Sequence, residues 1–245
     1  MTTIKTADND ASSSVVTFFE SLMEDLRVWA GGMSSLFEDR EHAPSQREVD
    51  AVVHPLARKL LNRQDLPLVG AGFVAAFEAV SDVPWHMAWW QGEKQERLLM
   101  LTMESAGETY SRREWFTVPM ESGAGHITGP YVDFLCTDEY TLTFTVPVKA
   151  HGRIVGVAGA DIFVESIEGL LVDRLREIDP RATLINGVGR VVVSADPQLA
   201  AGRLLIRSWK DAEGSVVPVD GVDLGFTKVH VARCGDLPMA VAVPE

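Results

Sequence analysis

The chain has 245 residues, of which 46% are hydrophobic and 23% are charged, so it can form one large domain or two small modules around a core. Its formal net charge of −13 argues against nucleic-acid binding and against an anionic membrane surface, because both require an excess of lysine and arginine. The first 30 residues contain no signal-peptide-like apolar run, and no stretch is apolar for 18 residues. We therefore expect a cytoplasmic protein without membrane insertion.

The N-terminal part of the chain predicts two helices. Apolar residues recur at helical spacing over residues 15–40, with serines ahead of them as N-caps, although Gly31 and Gly32 could interrupt the helix. A second helix is expected over residues 45–61, opened by a loose capping box and kinked or restarted at Pro55.

The middle of the chain predicts extended structure. Residues 85–90 and 98–103 are short apolar runs that we interpret as a hairpin, joined by the polar link 91–97. Residues 113–119 are interpreted as a short extended piece. The strict alternation of 141–148 and the run 154–162 predict a second hairpin.

The C-terminal part mixes one helix with short strands. An amphipathic pattern predicts a helix over 164–178, followed by strands at 182–185 and 190–194 and by a final hairpin in 227–245. Helices that precede antiparallel strands indicate an α+β fold.

Catalytic and metal-binding interpretations find weak support. Cys136 could act as a nucleophile with His126 as its base, but a free cysteine is more often a small buried hydrophobe. A metal site from His126, Asp133 and Asp138 matches no closed ligand set. We expect no cofactor, no metal and no catalytic residue, and we expect Cys136 and Cys234 to be free thiols.

An aromatic cluster followed by acids is more informative. Six aromatic residues lie in one window: Trp85, Trp89, Trp90, Trp115, Phe116 and Tyr131. Aromatic faces attract cations and carboxylates pair with ammonium groups, while Arg113 offers a fork for a carboxylate. Together these groups are suited to binding an amino acid. Without Arg113, the same aromatic residues and acids would suit an amine.

Two segments carry a family resemblance. The run "RREWF" at 112–116 and the segment "GPYVDFLCTDEYTLTFTVPVKAHGRIVGVAGADI" at 129–162 resemble the Cache (PDC-like) sensor superfamily. The tail resembles the smaller second module of double Cache domains. The resemblance implies long N-terminal helices packed on a curved antiparallel sheet, followed by a smaller second α/β module. It divides the chain into a helical segment, a ligand-binding module and a second module, at residues 1–80, 81–175 and 176–245.

The resemblance also implies the roles of individual residues. Arg113 and Trp115 would take a ligand carboxylate, while Phe116 and Tyr131 would line the site. Asp161 would take the ligand amine. Asp133 is a further candidate for the amine, and Trp89 completes the set of ligand-binding candidates. Phe116 stands where a tyrosine is commoner, and the tyrosine expected upstream falls at Glu108, with Tyr110 displaced.

The function indicated is a free-standing cytoplasmic sensor domain that binds an amino acid, an amine or a related metabolite. The alternative is an interaction or dimerisation module with a degenerate site. The N-terminal helix is long enough to mediate a homodimer, but its apolar stripe would equally serve to cover the sheet. The output partner of such a sensor is unknown from the sequence.

Overall fold

The computed structural model describes residues 7–38, 42–98, 107, 109–133, 139–207, 209, 216–220 and 224–245. The helices whose bounds the structure gives are α1 Ala7–Glu38, α2 Gln46–Leu61, α3 Glu114–Ser122 and α4 Val164–Ile178; Gly107, Thr109 and Tyr110 are also helical. One sheet has six strands: β1 Leu68–Ala75, β2 Met87–Gln91, β3 Glu96–Arg97, β4 His126–Val132, β5 Tyr140–Ala150 and β6 Arg153–Phe163. The other sheet has five: β7 Thr183–Asn186, β8 Val191–Ser194, β9 Val216–Pro218, β10 Lys228–Arg233 and β11 Met239–Pro244.

The predicted α+β class is confirmed, and the strand orders are β3-β2-β1-β6-β5-β4 and β8-β7-β11-β10-β9. The chain forms two compact units. The six-stranded unit comprises residues 22–128 and 143–163; the five-stranded unit comprises the described residues up to Ser21 together with those of 129–142 and 164–245. The division into three domains by chain position stays a prediction.

Both predicted N-terminal helices form, but α1 begins at Ala7, so the serines predicted as its N-caps lie inside the helix. α1 runs through Gly31 and Gly32 without a break, because its buried apolar face continues on both sides of the two glycines, with Trp29 before them and Met33 after them. In α2 the capping box is present: Glu48 N–H donates to Ser45 Oγ at 3.4 Å and Ser45 N–H donates to Glu48 Oε2 at 2.9 Å. Pro55 lies inside this helix, which is continuous through it.

The interpretation of residues 113–119 as extended is wrong. They begin α3, whose first turn forms when Phe116 N–H and Thr117 N–H both donate to Arg113 O, at 3.0 and 2.9 Å. Tryptophan, phenylalanine, threonine and valine favour strands, but Trp115, Phe116 and Pro119 are buried together at helical spacing. Packing of one helical face therefore outweighs local propensity.

The first hairpin is tighter than predicted. Its second strand, β3, lies inside the predicted link, because Gly92, at φ 74°, opens a turn that closes when Gln95 N–H donates to Gly92 O at 2.9 Å. Residues 99–103, predicted as strand, lie outside the described residues. The hairpin of β5 and β6, the helix 164–178 and the final hairpin form as predicted. Three strands were not predicted: β1, β4 and β9.

The five-stranded unit has an apolar core. Trp209 is fully buried in this core, and its apolar neighbours there include Ile185, Val191 and Val231. Its indole Nε1–H donates to Asn186 O at 2.8 Å, so the polar atom that this large side chain brings into the core is satisfied. α4 packs against β8 of the same unit.

Candidate functional site

The two faces of the six-stranded sheet differ in chemistry. On one face Phe73 contacts Phe37 of α1, with ring centroids 5.9 Å apart, and Trp90 stacks on His54 of α2 at 5.0 Å. The helices therefore cover this face. Side chains alternate between faces along a strand, so the neighbouring residues Gly72 and Trp89 lie on the opposite face, which we call the site face.

The strand register brings glycines and an acid together on the site face. Gly72 of β1 pairs with Trp89 of β2 on one side and with Gly159 of β6 on the other. Two residues away, Gly70 pairs with Asp161. The central strands therefore carry almost no side-chain bulk beside the carboxylate of Asp161.

Asp161 is the buried charge of this face. It is 5% exposed and accepts a hydrogen bond of 2.7 Å from Thr143 Oγ1, on the neighbouring strand β5. A buried carboxylate is retained where hydrogen bonds or a cation compensate the loss of water. The position at which the resemblance expects the amine-binding acid thus carries a buried, hydrogen-bonded carboxylate.

Trp89 lies across the glycines. Its Nε1 is 2.6 Å from the point where a Cβ on Gly70 would lie, and its Cη2 is 3.5 Å from the corresponding point on Gly159. A side chain at Gly70 or Gly72 would collide with Trp89, so the absence of Cβ atoms is what lets the ring lie on the sheet. The glycines thereby fix the position of the indole.

Two buried side-chain polar atoms on described strands of the six-stranded sheet have no hydrogen-bond partner. Among the described residues, buried and unpartnered side-chain polar atoms are found at Trp29 Nε1, Trp89 Nε1 and Thr128 Oγ1. Thr128 lies on β4, next to β5 in the sheet. Trp89 Nε1 is therefore a buried, unpartnered donor on the site face.

An aromatic cluster includes Trp115 and Phe116 of α3, and this helix packs against β6, the strand of Asp161. Tyr110 is at the centre of this cluster. Its ring stacks on Trp115 at 6.2 Å and meets the edges of Phe116 and Trp85, both at 5.5 Å. Burial raises the pKa of the Tyr110 hydroxyl, which donates to Ala75 O at 3.4 Å. Sequence reasoning missed this residue, although the aromatic window around it was a signal.

The structure separates the predicted site residues into groups. Asp161 and Trp89 share the site face, and Trp115 and Phe116 are buried together on α3. Arg113 is exposed at the N-cap of α3, whereas Asp161 is buried.

Tyr131 and Asp133 belong to the five-stranded unit. Asp133 is 5% exposed, and its backbone N–H donates to Glu139 O at 3.1 Å. The ligand-binding role of each predicted site residue stays a prediction.

The alternative chemistries receive little support from the described residues. Cys136 and Asp138 lie outside them, as does Glu108. His126 Nε2 is 2.9 Å from Glu114 Oε1, and no group of three or more histidines, cysteines and acids in the described ranges could hold a metal ion. Cys234 is a free, buried thiol as predicted, and burial raises its pKa to about 12, which disfavours the reactive thiolate.

Comparison with known proteins agrees with this architecture. Residues 73–169 match the family model described as "Methyl-accepting chemotaxis protein-like, first PDC sensor domain". A solved structure called methyl-accepting chemotaxis protein X covers 99% of this chain and 96% of its own, with a TM-score of 0.63 and 18% identity. The chain has the PDC, or Cache, sensor fold. The resemblance found in the sequence is therefore confirmed for the fold and, over residues 73–169, for the match to the first PDC sensor domain.

Two further relatives are informative. The chemotaxis protein TlpQ of Pseudomonas aeruginosa is 32% identical over 89 residues, which are 36% of this chain but 12% of TlpQ. The ligand-binding domain of the amino-acid chemoreceptor PctC of Pseudomonas aeruginosa, in complex with GABA, covers 98% of this chain and 96% of its own, with a TM-score of 0.58 and 17% identity. No described helix of this chain is both long and apolar enough to cross a bilayer.

Proposed function

We propose that this chain is a ligand-binding sensor domain for a small amino acid or amine. The observation that carries the proposal is the buried carboxylate of Asp161 on the site face, hydrogen-bonded to Thr143 at 2.7 Å. It lies beside a glycine-lined surface that Trp89 crosses. An ammonium group beside this carboxylate would form a charge-assisted hydrogen bond, which is stronger than a neutral one.

The buried charge of Asp161 supports a cation as the ligand group, because a buried carboxylate is compensated by hydrogen bonds or by a cation. The sensor fold and the GABA complex of PctC point in the same direction, since GABA carries an ammonium group. The role of a sensor rather than an enzyme is part of this proposal.

Three sequence predictions belong with the proposal and remain untested. They are the cytoplasmic location, the double Cache type, and a homodimer formed through α1. The proposal that Asp133 and Tyr131 contribute to ligand binding also stands on the resemblance alone.

The test is isothermal titration of the protein with amino acids and amines, comparing wild type with Asp161→Asn. Asparagine keeps the shape and removes the charge, so we expect affinity for every ammonium-bearing ligand to fall at least about tenfold. Asp196→Asn is the matched control. Asp196 is similarly buried at 4% exposure, but it lies in the five-stranded unit, where its Oδ1 accepts from Gln198 N–H at 2.9 Å.

Two outcomes would count against the proposal. Unchanged affinity in a folded Asp161→Asn protein would remove Asp161 from the site. Failure of wild type to bind any amino acid or amine would remove the proposed ligand class and shift support to an interaction module.

A further inference from the structure

We propose that the indole N–H of Trp89 is a specificity-determining donor that binds the carboxylate of the ligand. The site would then select amino acids over the corresponding amines. This inference rests on the proposed function, because it assumes that Asp161 takes the ammonium group. It assigns the carboxylate-binding end of the site to a neutral side chain on the sheet, in place of Arg113.

The first step is the position of the donor. Trp89 Nε1 lies against Gly70, and Gly70 pairs with Asp161 in the next strand. Neighbouring strands are about 4.8 Å apart. The donor and the carboxylate therefore lie on one face of the sheet within the span of one small molecule that carries both an ammonium and a carboxylate group.

The second step is the state of the donor. Trp89 is 6% exposed and its Nε1 has no hydrogen-bond partner among the described residues. A buried donor without a partner costs free energy, and native structures contain few such groups. In the five-stranded unit the indole of Trp209 is satisfied by Asn186 O at 2.8 Å. The unpartnered N–H beside Asp161 is thus available to an acceptor that the ligand supplies.

The third step is the rigidity of the donor. The ring rests on Gly70 and Gly72, where a Cβ would displace it. A donor held in a fixed orientation loses little entropy when it binds, which increases its contribution to specificity.

The fourth step is the charge of the site. Arg113 is exposed at the N-cap of α3, and two donors that the described residues place beside Asp161, the indole of Trp89 and the hydroxyl of Thr143, are neutral. A neutral donor adds less to the binding of a carboxylate than a guanidinium does. We therefore expect the ammonium group to be required for binding and the carboxylate to add a preference of about tenfold.

The test uses pairs of ligands that differ by the carboxylate alone: GABA with n-propylamine, and L-valine with isobutylamine. Each is titrated calorimetrically into wild type, Trp89→Phe and Trp29→Phe. Phenylalanine keeps an aromatic ring and removes the N–H. Trp29 is the matched control, because its Nε1 is also buried and unpartnered but it lies on α1.

We expect Trp89→Phe to weaken binding of the amino acid by about tenfold and to leave the paired amine within about twofold. Trp29→Phe should change neither. An equal loss for both members of a pair, or no loss for either, would overturn the assignment while Asp161→Asn still tests the sensor function. If wild type binds no member of any pair, the proposed function fails and this inference fails with it.

Discussion

The two units contain similar buried side chains that differ in their hydrogen bonding. Each buries a tryptophan and an aspartate. In the five-stranded unit Trp209 donates to Asn186 O and Asp196 accepts from a backbone N–H in its own turn. In the six-stranded unit Asp161 accepts from Thr143, whereas Trp89 Nε1 has no hydrogen-bond partner among the described residues. A satisfied indole stabilises the fold, whereas an unpartnered N–H on a rigid sheet is suited to binding.

The largest expected effect concerns the core of the five-stranded unit. Trp209→Ala should lower the free energy of unfolding by about 3–5 kcal/mol, because it leaves a cavity at a fully buried position. Urea denaturation followed by circular dichroism measures this free energy.

A phenylalanine substitution at Trp209 and at Trp89 tests the comparison between the two units directly. Trp209→Phe should cost more than Trp89→Phe, since only the former removes an existing hydrogen bond, the one that the indole of Trp209 donates to Asn186 O. Equal costs would contradict the contrast drawn between the two tryptophans.

The next effect concerns the glycines of the site face. Gly72→Ala should destabilise the protein by about 1–3 kcal/mol, because the new methyl group would press on Ala88 O and on Trp89, whose Cα would be 2.7 Å away. Gly169→Ala is the control on α4. No atom lies within 4 Å of the site of its Cβ, and alanine should stabilise the helix by about 0.5–1 kcal/mol. Thermal unfolding of both variants checks the opposite signs, and a neutral Gly72→Ala would show that Trp89 is not held by the glycines.

The last effect is a dependence of the stability on alkaline pH, which both units share. Burial raises the pKa of Cys234 from 9.0 to about 12 and raises that of Tyr110 above 10.0. Above these ordinary values the unfolded chain loses protons that the folded chain keeps, so stability is complete below pH 9 and falls as pH rises. The slope should reach about 1.4 kcal/mol per pH unit for each group. Cys234→Ala should remove the loss of stability that begins near pH 9. Tyr110→Phe should remove the loss of stability that begins near pH 10. Urea titrations from pH 7 to 11 measure both, and a flat profile would contradict the burial of these groups.

Much of the local structure follows from the sequence. The helix α4 spans the predicted residues 164–178, because its apolar positions recur at helical spacing and Pro180 cannot continue the pattern. The capping box of α2 and the alternating strand β5 were found for similar reasons. These signals succeed because they depend on residues close together in the chain.

Other elements required the folded chain. β1 carries two glycines that weaken a strand pattern, yet it pairs with both β2 and β6. α3 has the composition of a strand and becomes a helix because burial of Trp115 and Phe116 on one side favours it. In both cases the deciding contacts are made with residues distant in sequence.

By itself, the sequence determined the α+β class, the resemblance to the Cache fold and the acid near the end of β6, since these depend on periodicity, element order and short motifs. The tertiary structure alone decided which groups stand beside that acid. Register places Gly70 next to Asp161 and lays Trp89 across the glycines, and a shift of one residue would turn these groups to the opposite face. Hydrogen-bond partnership is likewise a property of packing, so the unpartnered indole of Trp89 could not be read from its position in the chain.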